Sequence, residues 1–591
     1  MTLIDRLRLR LGGFDALALM AVIGLICGLL AGGSNILFRL FTESSLVLWA
    51  TDPDSNTDYE TMDWLYRLLL PTIGGLVVGL LLQKLKPEYR QVGVSHVLER
   101  MSYHQGHLPP QNAFVQFILG GLTIASGQSV GREGPGIHLG SASASWVGQK
   151  LKLPNNSTRI LVGCGCAAAI SANFNTPLAG VIFAMEIIIM EYAVASFIPI
   201  ILASVAGAIL TRLVFGDGAS FDVPSKLDIQ SLWEMPYFLL VGFAGGVFAS
   251  VFIIATRKVR QVSREWPVWL KTTVAGTSVG IIAIGIPQVM GIGYDSVNGA
   301  LQGELALTIL ALALVGKLIA TIICSGLSLP GGVIGPALFM GAMLGGVMGN
   351  IGGELFPDHA SYTGFYAMIG MATVMGAVLQ APLAALMALL ELTNNPNIIF
   401  PGMFSIVIGN LVVTQLFKQQ SFWETQMTDR GLDLRVSPIK QVLRSIGVAG
   451  VMSRSIATLN FRSTPDEIEV ALKDKPRWVL VMEDEHVTSM MVASDLVRYM
   501  MEREEKQREE TPKPDAEQKR KVINLLKIPA NRQNLVSITL QATLEETFDK
   551  MEQAKMSAAY VYRITHDGQE RIYGVITRDM ITDQYVYSKK P

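Results

Sequence analysis

Gly131-Arg132-Glu133-Gly134-Pro135 has a near-copy further along the chain, at Gly332-Val333-Ile334-Gly335-Pro336, and both read G-x-x-G-P. Downstream of the first, Pro177-Leu178-Ala179 is followed by six residues and then Glu186. Downstream of the second, Pro382-Leu383-Ala384 is followed by six residues and then Glu391. Two motifs in one order at similar spacing make an internal repeat. Apolar repeats interrupted by Gly and Pro point to a transport site at the repeat interface. A helix broken inside a membrane is tolerated where its end lines a polar cavity. Such an end aims unpaired N–H groups, carrying roughly half a positive charge, at whatever occupies the cavity. The occupant it suits is an anion, with no Lys or Arg required. The competing reading is that these Gly and Pro residues are packing kinks.

The composition agrees with a membrane setting. Of 591 residues, 50% are hydrophobic and 16% charged, and the net charge of −1 gives no reason to expect a nucleic-acid partner. Charge is scarce from Phe14 to Phe417 and dense afterwards. Apolar runs recur at Phe14–Leu30, Leu68–Leu82, Pro236–Ile254, Leu305–Ile323 and Phe400–Leu416, where about 20 residues make a full span. Many further spans follow the first run and no small-residue cleavage site stands out after it, so it reads as a span rather than a leader. Arg6, Arg8 and Arg10 precede it, which places the N-terminus in the cytoplasm by the positive-inside tendency.

Glu133 stands out within the first motif. A carboxylate in the bilayer core costs about 3 kcal/mol on insertion scales. At a helix N-terminus its charge is stabilised in place of a bound anion. Ionised, it competes for the anion site; protonated or displaced, it vacates it. A gate coupled to protons follows. The alternative is a salt bridge to neighbouring Arg132.

These residues resemble the signature of the CLC chloride channels and proton/chloride exchangers. Gly120-Gly121, Ala125-Ser126-Gly127, Asn173 through Gly180, Gly331–Pro336 and Gln380–Asn394 fit as well, so the resemblance covers roughly residues 14–430. It implies a polytopic α-helical fold with an internal repeat and about eighteen membrane helices, many of them tilted or partial. It further implies a homodimer in a lipid bilayer with one anion path per subunit. By the same resemblance, backbone amides of Gly131, Arg132, Glu133 and Gly134, and of Val333 and Ile334, hold the anion. Glu133 falls on the family's gating glutamate.

Three positions depart from the exchanger pattern. The first anion-binding motif, usually G-S-G-I-P, here reads Gln91-Val92-Gly93-Val94-Ser95, so Val92 lacks the hydroxyl that donates to the central anion. A hydrogen bond to a buried charge is worth roughly 1.5–3 kcal/mol, enough to alter affinity or selectivity. Exchangers usually carry two adjacent inner glutamates; Glu186 matches the first, but Ile187 follows, and Ile binds no proton. The resemblance aligns the tyrosine flanking the central anion with Trp423, a larger ring that still has an N–H donor, with neighbouring Phe422 as the lesser candidate.

Other groups add less. His138 follows the GREGP motif and titrates near neutral pH when unperturbed, or packs as a neutral helix-contact residue. Cys27, Cys164, Cys166 and Cys324 all lie in apolar stretches and read as buried small residues rather than a disulfide or metal pair. No metal-ligand spacing, nucleophilic triad or phosphate loop is present, so an enzyme is not expected and no cofactor is required.

Beyond residue 440 the pattern changes to strand, helix, strand. Two copies of a β-α-β-β-α pattern are separated by Met501–Lys521, dense in Glu, Lys and Arg. They resemble a CBS-domain pair, a cytoplasmic α/β module that often senses adenine nucleotides. The resemblance assigns Ser494 and Asp495, and Thr577 and Asp579, to a nucleotide contact; as residue types they are equally common helix caps. The expected organisation is a cytoplasmic segment 1–13, a membrane domain 14–430, a linker 431–445, a first CBS domain 446–503, a charged linker 504–530 and a second CBS domain 531–591. The function expected is transport of chloride or a similar small anion across the cell membrane, gated by Glu133 and coupled to protons. An uncoupled chloride channel is the alternative, and a membrane-embedded sensor without net transport is less favoured.

Overall fold

The computed structural model describes residues 17–47, 59–192, 194–216, 221, 223–224, 229–357, 360–393, 395–434, 438–484, 486–510, 522–564 and 569–587. Arg6, Arg8 and Arg10, and most of the charged stretch after residue 510, lie outside them. The chain forms two units, a helical one built from Leu17–Leu151 and Ser157–Arg435, and a second one holding the chain from Val436 onward.

In the helical unit, eight helices among the described residues are long and apolar enough to cross a membrane, from Leu17–Ser44 to Pro396–Leu416. Shorter apolar helices at Pro177–Ile189, Thr363–Leu379 and Pro382–Thr393 accompany them. Large apolar side chains such as Leu25, Leu29, Ile73, Leu213 and Phe404 are exposed on these helices, as a surface that faces lipid rather than water requires.

The two repeats meet at their broken ends. Gly131 N–H donates to Gly332 O at 2.8 Å and Gly332 N–H donates back to Gly131 O at 2.8 Å. This bridge sets the N-terminus of the Glu133–Lys150 helix against that of the Ile334–Leu355 helix. Only glycine fits so close an approach: a Cβ on Gly134 would stand 2.7 Å from Gly332 Cα.

The second repeated motif also works across the repeat. Pro177 and Pro382 each open a helix, where their missing N–H costs nothing. The Glu186 carboxylate accepts N–H bonds from Leu383 at 3.3 Å and Ala384 at 2.8 Å, in the first turn of the other copy's helix. Glu391 does the same for Leu178 at 2.8 Å and Ala179 at 2.7 Å. Each acid thus caps the helix its counterpart motif begins.

In the second unit, strand Ile456–Asn460 pairs in parallel with Trp478–Glu483, which pairs antiparallel with His486–Val492. Leu535–Thr539, Ala558–Ile564 and Glu570–Thr577 repeat that topology. Thr464 and Thr543 cap the intervening helices Pro465–Leu472 and Leu544–Gln553 through the N–H groups of Glu467 and Glu546. Trp478, Leu480 and Met490 of one copy pack with Leu535, Tyr560 and Val575 of the other, so the two copies share a core.

The segment boundaries differ from those read in sequence. The 431–445 segment contains the helix Pro438–Ser445. The last helix of the first copy, Ala493–Glu510, runs beyond residue 503. Within 504–530, Ile523–Asn524 forms a strand against Arg462–Ser463, and Ile523, Leu525 and Ile528 are buried in the first copy's core. Their apolar side chains outweigh the charge density of the stretch around them.

Glu391→Ala leaves the N–H groups of Leu178 and Ala179 without their acceptor, at a cost of about 1–3 kcal/mol. Its unfolding midpoint in detergent should fall by several degrees, with Glu391→Gln falling less; an unchanged midpoint would remove the cross-repeat cap from the account.

Candidate functional site

Glu133 begins its helix and is wholly buried, at 0% exposure. One carboxylate oxygen, Oε2, accepts the backbone N–H of Gly335 at 3.0 Å. The other, Oε1, accepts the hydroxyl of Tyr294. Gly335 lies in the first turn of Ile334–Leu355, whose N-cap residue Val333 supplies no side-chain cap. The carboxylate therefore sits where this helix N-terminus presents unpaired donors and partial positive charge.

Arg132 does not pair with Glu133. Its Nη1 donates to Glu43 Oε1 at 2.9 Å, an acid also held by Arg39 at 2.7 Å. The Arg132 guanidinium lies 5.4 Å from the centroid of the Tyr294 ring. The local salt bridge that would have given Glu133 a purely structural role is absent from the geometry, and Arg132 instead packs on the tyrosine that holds Glu133.

Val92 is the N-cap of the Gly93–Tyr103 helix and makes no side-chain capping bond; Gly93 has φ +79°, a conformation that favours glycine. Gly131 and Gly134 flank Glu133 at the bridge, and Ile334 is buried beside it in the opposing helix. Trp423 is buried, edge-on to Phe183 at 6.0 Å, on the Phe422–Asp429 helix, which Ser421 and Glu424 open with reciprocal caps. Ile187 is buried, and its neighbour Glu186 is committed to the cap on Leu383 and Ala384.

Three residues at or near this site escaped the sequence reading. Tyr294 opens a short helix after Gly291-Ile292-Gly293. Lys317 is fully buried; its Nζ donates to the carbonyls of Val289 at 3.1 Å and Gly291 at 2.8 Å and stands 4.7 Å over the Phe339 ring. It thereby fixes the turn that delivers Tyr294. Gln116 is buried with both amide atoms lacking a hydrogen-bond partner, and it precedes Gly131 by the same fifteen residues that separate Lys317 from Gly332. Extending the repeat upstream would have flagged the last two. All four cysteines are buried and free.

In the second unit each assigned pair stands at the head of its own helix. Asp495 accepts from Arg498 Nη2 at 3.0 Å and from the Asn531 N–H at 3.2 Å, and Ser494 precedes it. Thr577 Oγ1 accepts the Met580 N–H at 3.5 Å, a capping contact, with Asp579 in the first turn.

Comparison with known proteins places the chain in a family. The family described as voltage gated chloride channel matches residues 74–414, and the CBS domain matches residues 528–586. A ClcB-like chloride channel protein of Ralstonia nicotianae is 32% identical over 66% of this chain and 92% of its own. The H(+)/Cl(-) exchange transporter ClcA of Vibrio campbellii is 27% identical over 71% of this chain and 90% of its own. Among solved structures, a slow cyanobacterial Cl-/H+ antiporter aligns with a TM-score of 0.61 at 22% identity, over 70% of this chain and 97% of that one. A eukaryotic CLC transporter aligns over 98% of each chain with a TM-score of 0.58 at 18% identity. The chain belongs to the voltage gated chloride channel family, a family of membrane channels and transporters rather than enzymes.

Tyr294→Phe removes one of the two donors that seat the Glu133 carboxylate. A hydrogen bond to a charged group is worth about 1.5–3 kcal/mol, so anion flux at neutral pH should rise by roughly tenfold or more. Flux equal to that of the unmodified protein would mean that Tyr294 does not hold the carboxylate in place.

Proposed function

We propose that this protein moves chloride or a similar small anion across the membrane in exchange for protons, with the Glu133 side chain as the gate. One observation carries the reading: a fully buried carboxylate takes the N–H of Gly335 at a broken helix end. A helix N-terminus that holds a carboxylate holds an anion by the same chemistry. The seated carboxylate and the anion are therefore alternatives for one place.

Protonation removes the charge that the Gly335 amide stabilises, so the neutral side chain leaves more readily and the anion enters. Anion passage and proton binding are then linked by competition. The amides of Arg132, Glu133 and Gly134 and of Val333 and Ile334 supply the donors, the Gly131 N–H being committed to the Gly332 carbonyl, and Val92, Gly93 and Trp423 line the inward approach. Because Val92 offers no hydroxyl, the order of anion preference should differ from that of relatives with a serine there. Ile187 favours the second reading, an uncoupled channel, since the usual inner proton acceptor is missing.

Each subunit of a homodimer carries its own path, and the N-terminus and second unit lie in the cytoplasm. The second unit acts on the transport unit as a regulatory module that takes an adenine nucleotide at Ser494, Asp495, Thr577 and Asp579. Millimolar ATP should then raise the unfolding midpoint of the full chain, and Asp579→Ala should abolish the rise. No rise with ATP, ADP or AMP would leave those residues as helix caps.

Glu133→Gln mimics the protonated gate. In liposomes its anion flux should lose its dependence on pH and proton movement should stop. Flux that keeps the pH dependence of the unmodified protein would remove Glu133 as the gate.

A further inference from the structure

His96 and His138 form a hydrogen-bonded pair inside the helical unit. His96 Nδ1 lies 2.9 Å from His138 Nε2, and both side chains have 0% exposure. Arg100 Nε donates to His96 Nε2 at 3.1 Å. A guanidinium only donates, so this contact fixes the tautomers: His96 carries its proton on Nδ1 and gives it to His138 Nε2, and His138 carries its own on Nδ1. That last nitrogen is buried and has no hydrogen-bond partner among the described residues.

The pair joins the helix that carries the gate to the helix that Gly93 opens. His138 is five residues beyond Glu133 on the same helix, about 7.5 Å along the axis. His96 is three residues beyond Gly93 on the neighbouring helix. The far end of that helix meets the segment that leads to the second unit, through Tyr103 Oη donating to Asp433 O at 2.6 Å and through Glu99 with Arg430 at 3.5 Å.

We propose that the His96–His138 pair is an internal proton station for exchange, taking the place of the carboxylate that Ile187 lacks. The proposal rests on the proton-coupled reading above. When Arg100 turns away, an incoming proton binds His96 Nε2, and the Nδ1 proton passes to His138 Nε2. His138 then releases its Nδ1 proton, and intervening water carries it on to the Glu133 carboxylate. One proton enters and one leaves, and both rings end in the opposite tautomer; ring rotation restores them.

The groups around the pair set its charge. On its own helix stand Arg100 and His104, and Arg430 approaches from the end of Phe422–Asp429. Burial is the larger obstacle to charge on His96 and these three groups add to it, which suits a station that passes a proton on rather than storing it. Glu99 is engaged with Arg430. Glu186, on the Ala184–Ile189 turn packed against this helix, is engaged with Leu383 and Ala384. Neither acid is bonded to the pair.

The test imposes a chloride gradient on liposomes and records chloride and proton movement together for the unmodified protein, His96→Gln and His138→Gln. The expected result is chloride flux in all three, with the proton-to-chloride ratio of both variants reduced by about tenfold or more. A ratio unchanged in both variants overturns the station while leaving exchange intact. Chloride flux without proton movement in the unmodified protein overturns the exchange reading itself. If either variant loses chloride flux as well, ¹⁵N-histidine resonances of the unmodified protein decide: a tautomer or protonation change with internal pH supports the station, and a pair static from pH 4 to 8 overturns it.

Discussion

Two helix N-termini face each other inside the membrane unit, locked at close range by the paired amides of Gly131 and Gly332. Both ends carry partial positive charge and N–H groups that no helix turn satisfies. In a bilayer, water is not freely available to satisfy them. Something negative has to be there. Glu133 meets that demand from within the chain; in the proposed function an anion meets it from without, and a gate arises because one place accepts either.

The surroundings serve that junction. Glycine at 134 permits the approach. Tyr294 holds Oε1 of the carboxylate, while Lys317 ties down the turn that brings Tyr294 into reach. Arg132, which could have neutralised Glu133 directly, is drawn to Glu43. That diversion matters, because an arginine bonded to the carboxylate would hold it ionised and fixed. The crossed caps of Glu186 and Glu391 secure the two repeats to each other at a second place.

Much of this was legible in the order of residues. The doubled G-x-x-G-P motif announces two broken helices, and the doubled Pro-Leu-Ala with its later Glu announces a repeat. What spacing cannot convey is which partner an acid chooses across the fold. Glu186 and Glu391 exchange helices, and Arg132 finds a partner from the first span. Tyr294 arrives from an element with no marked motif of its own. In the second unit the charged stretch hid Ile523, Leu525 and Ile528, because three apolar residues among many charges show no period until a neighbouring strand covers them. His138 was visible as a residue that titrates or packs; its meeting with His96 was not, since the two lie on different helices.

A gate at Glu133 requires that its carboxylate and the transported anion compete for the same donors. Bromide gives an anomalous X-ray signal, so crystals of the unmodified protein and of Glu133→Gln soaked in bromide test this directly. The expected result is a bromide against the Gly335 N–H in Glu133→Gln and none there in the unmodified protein at neutral pH, where the carboxylate stands instead. A bromide at that amide in the unmodified protein, with Glu133 still bonded to it, would mean that carboxylate and anion do not compete.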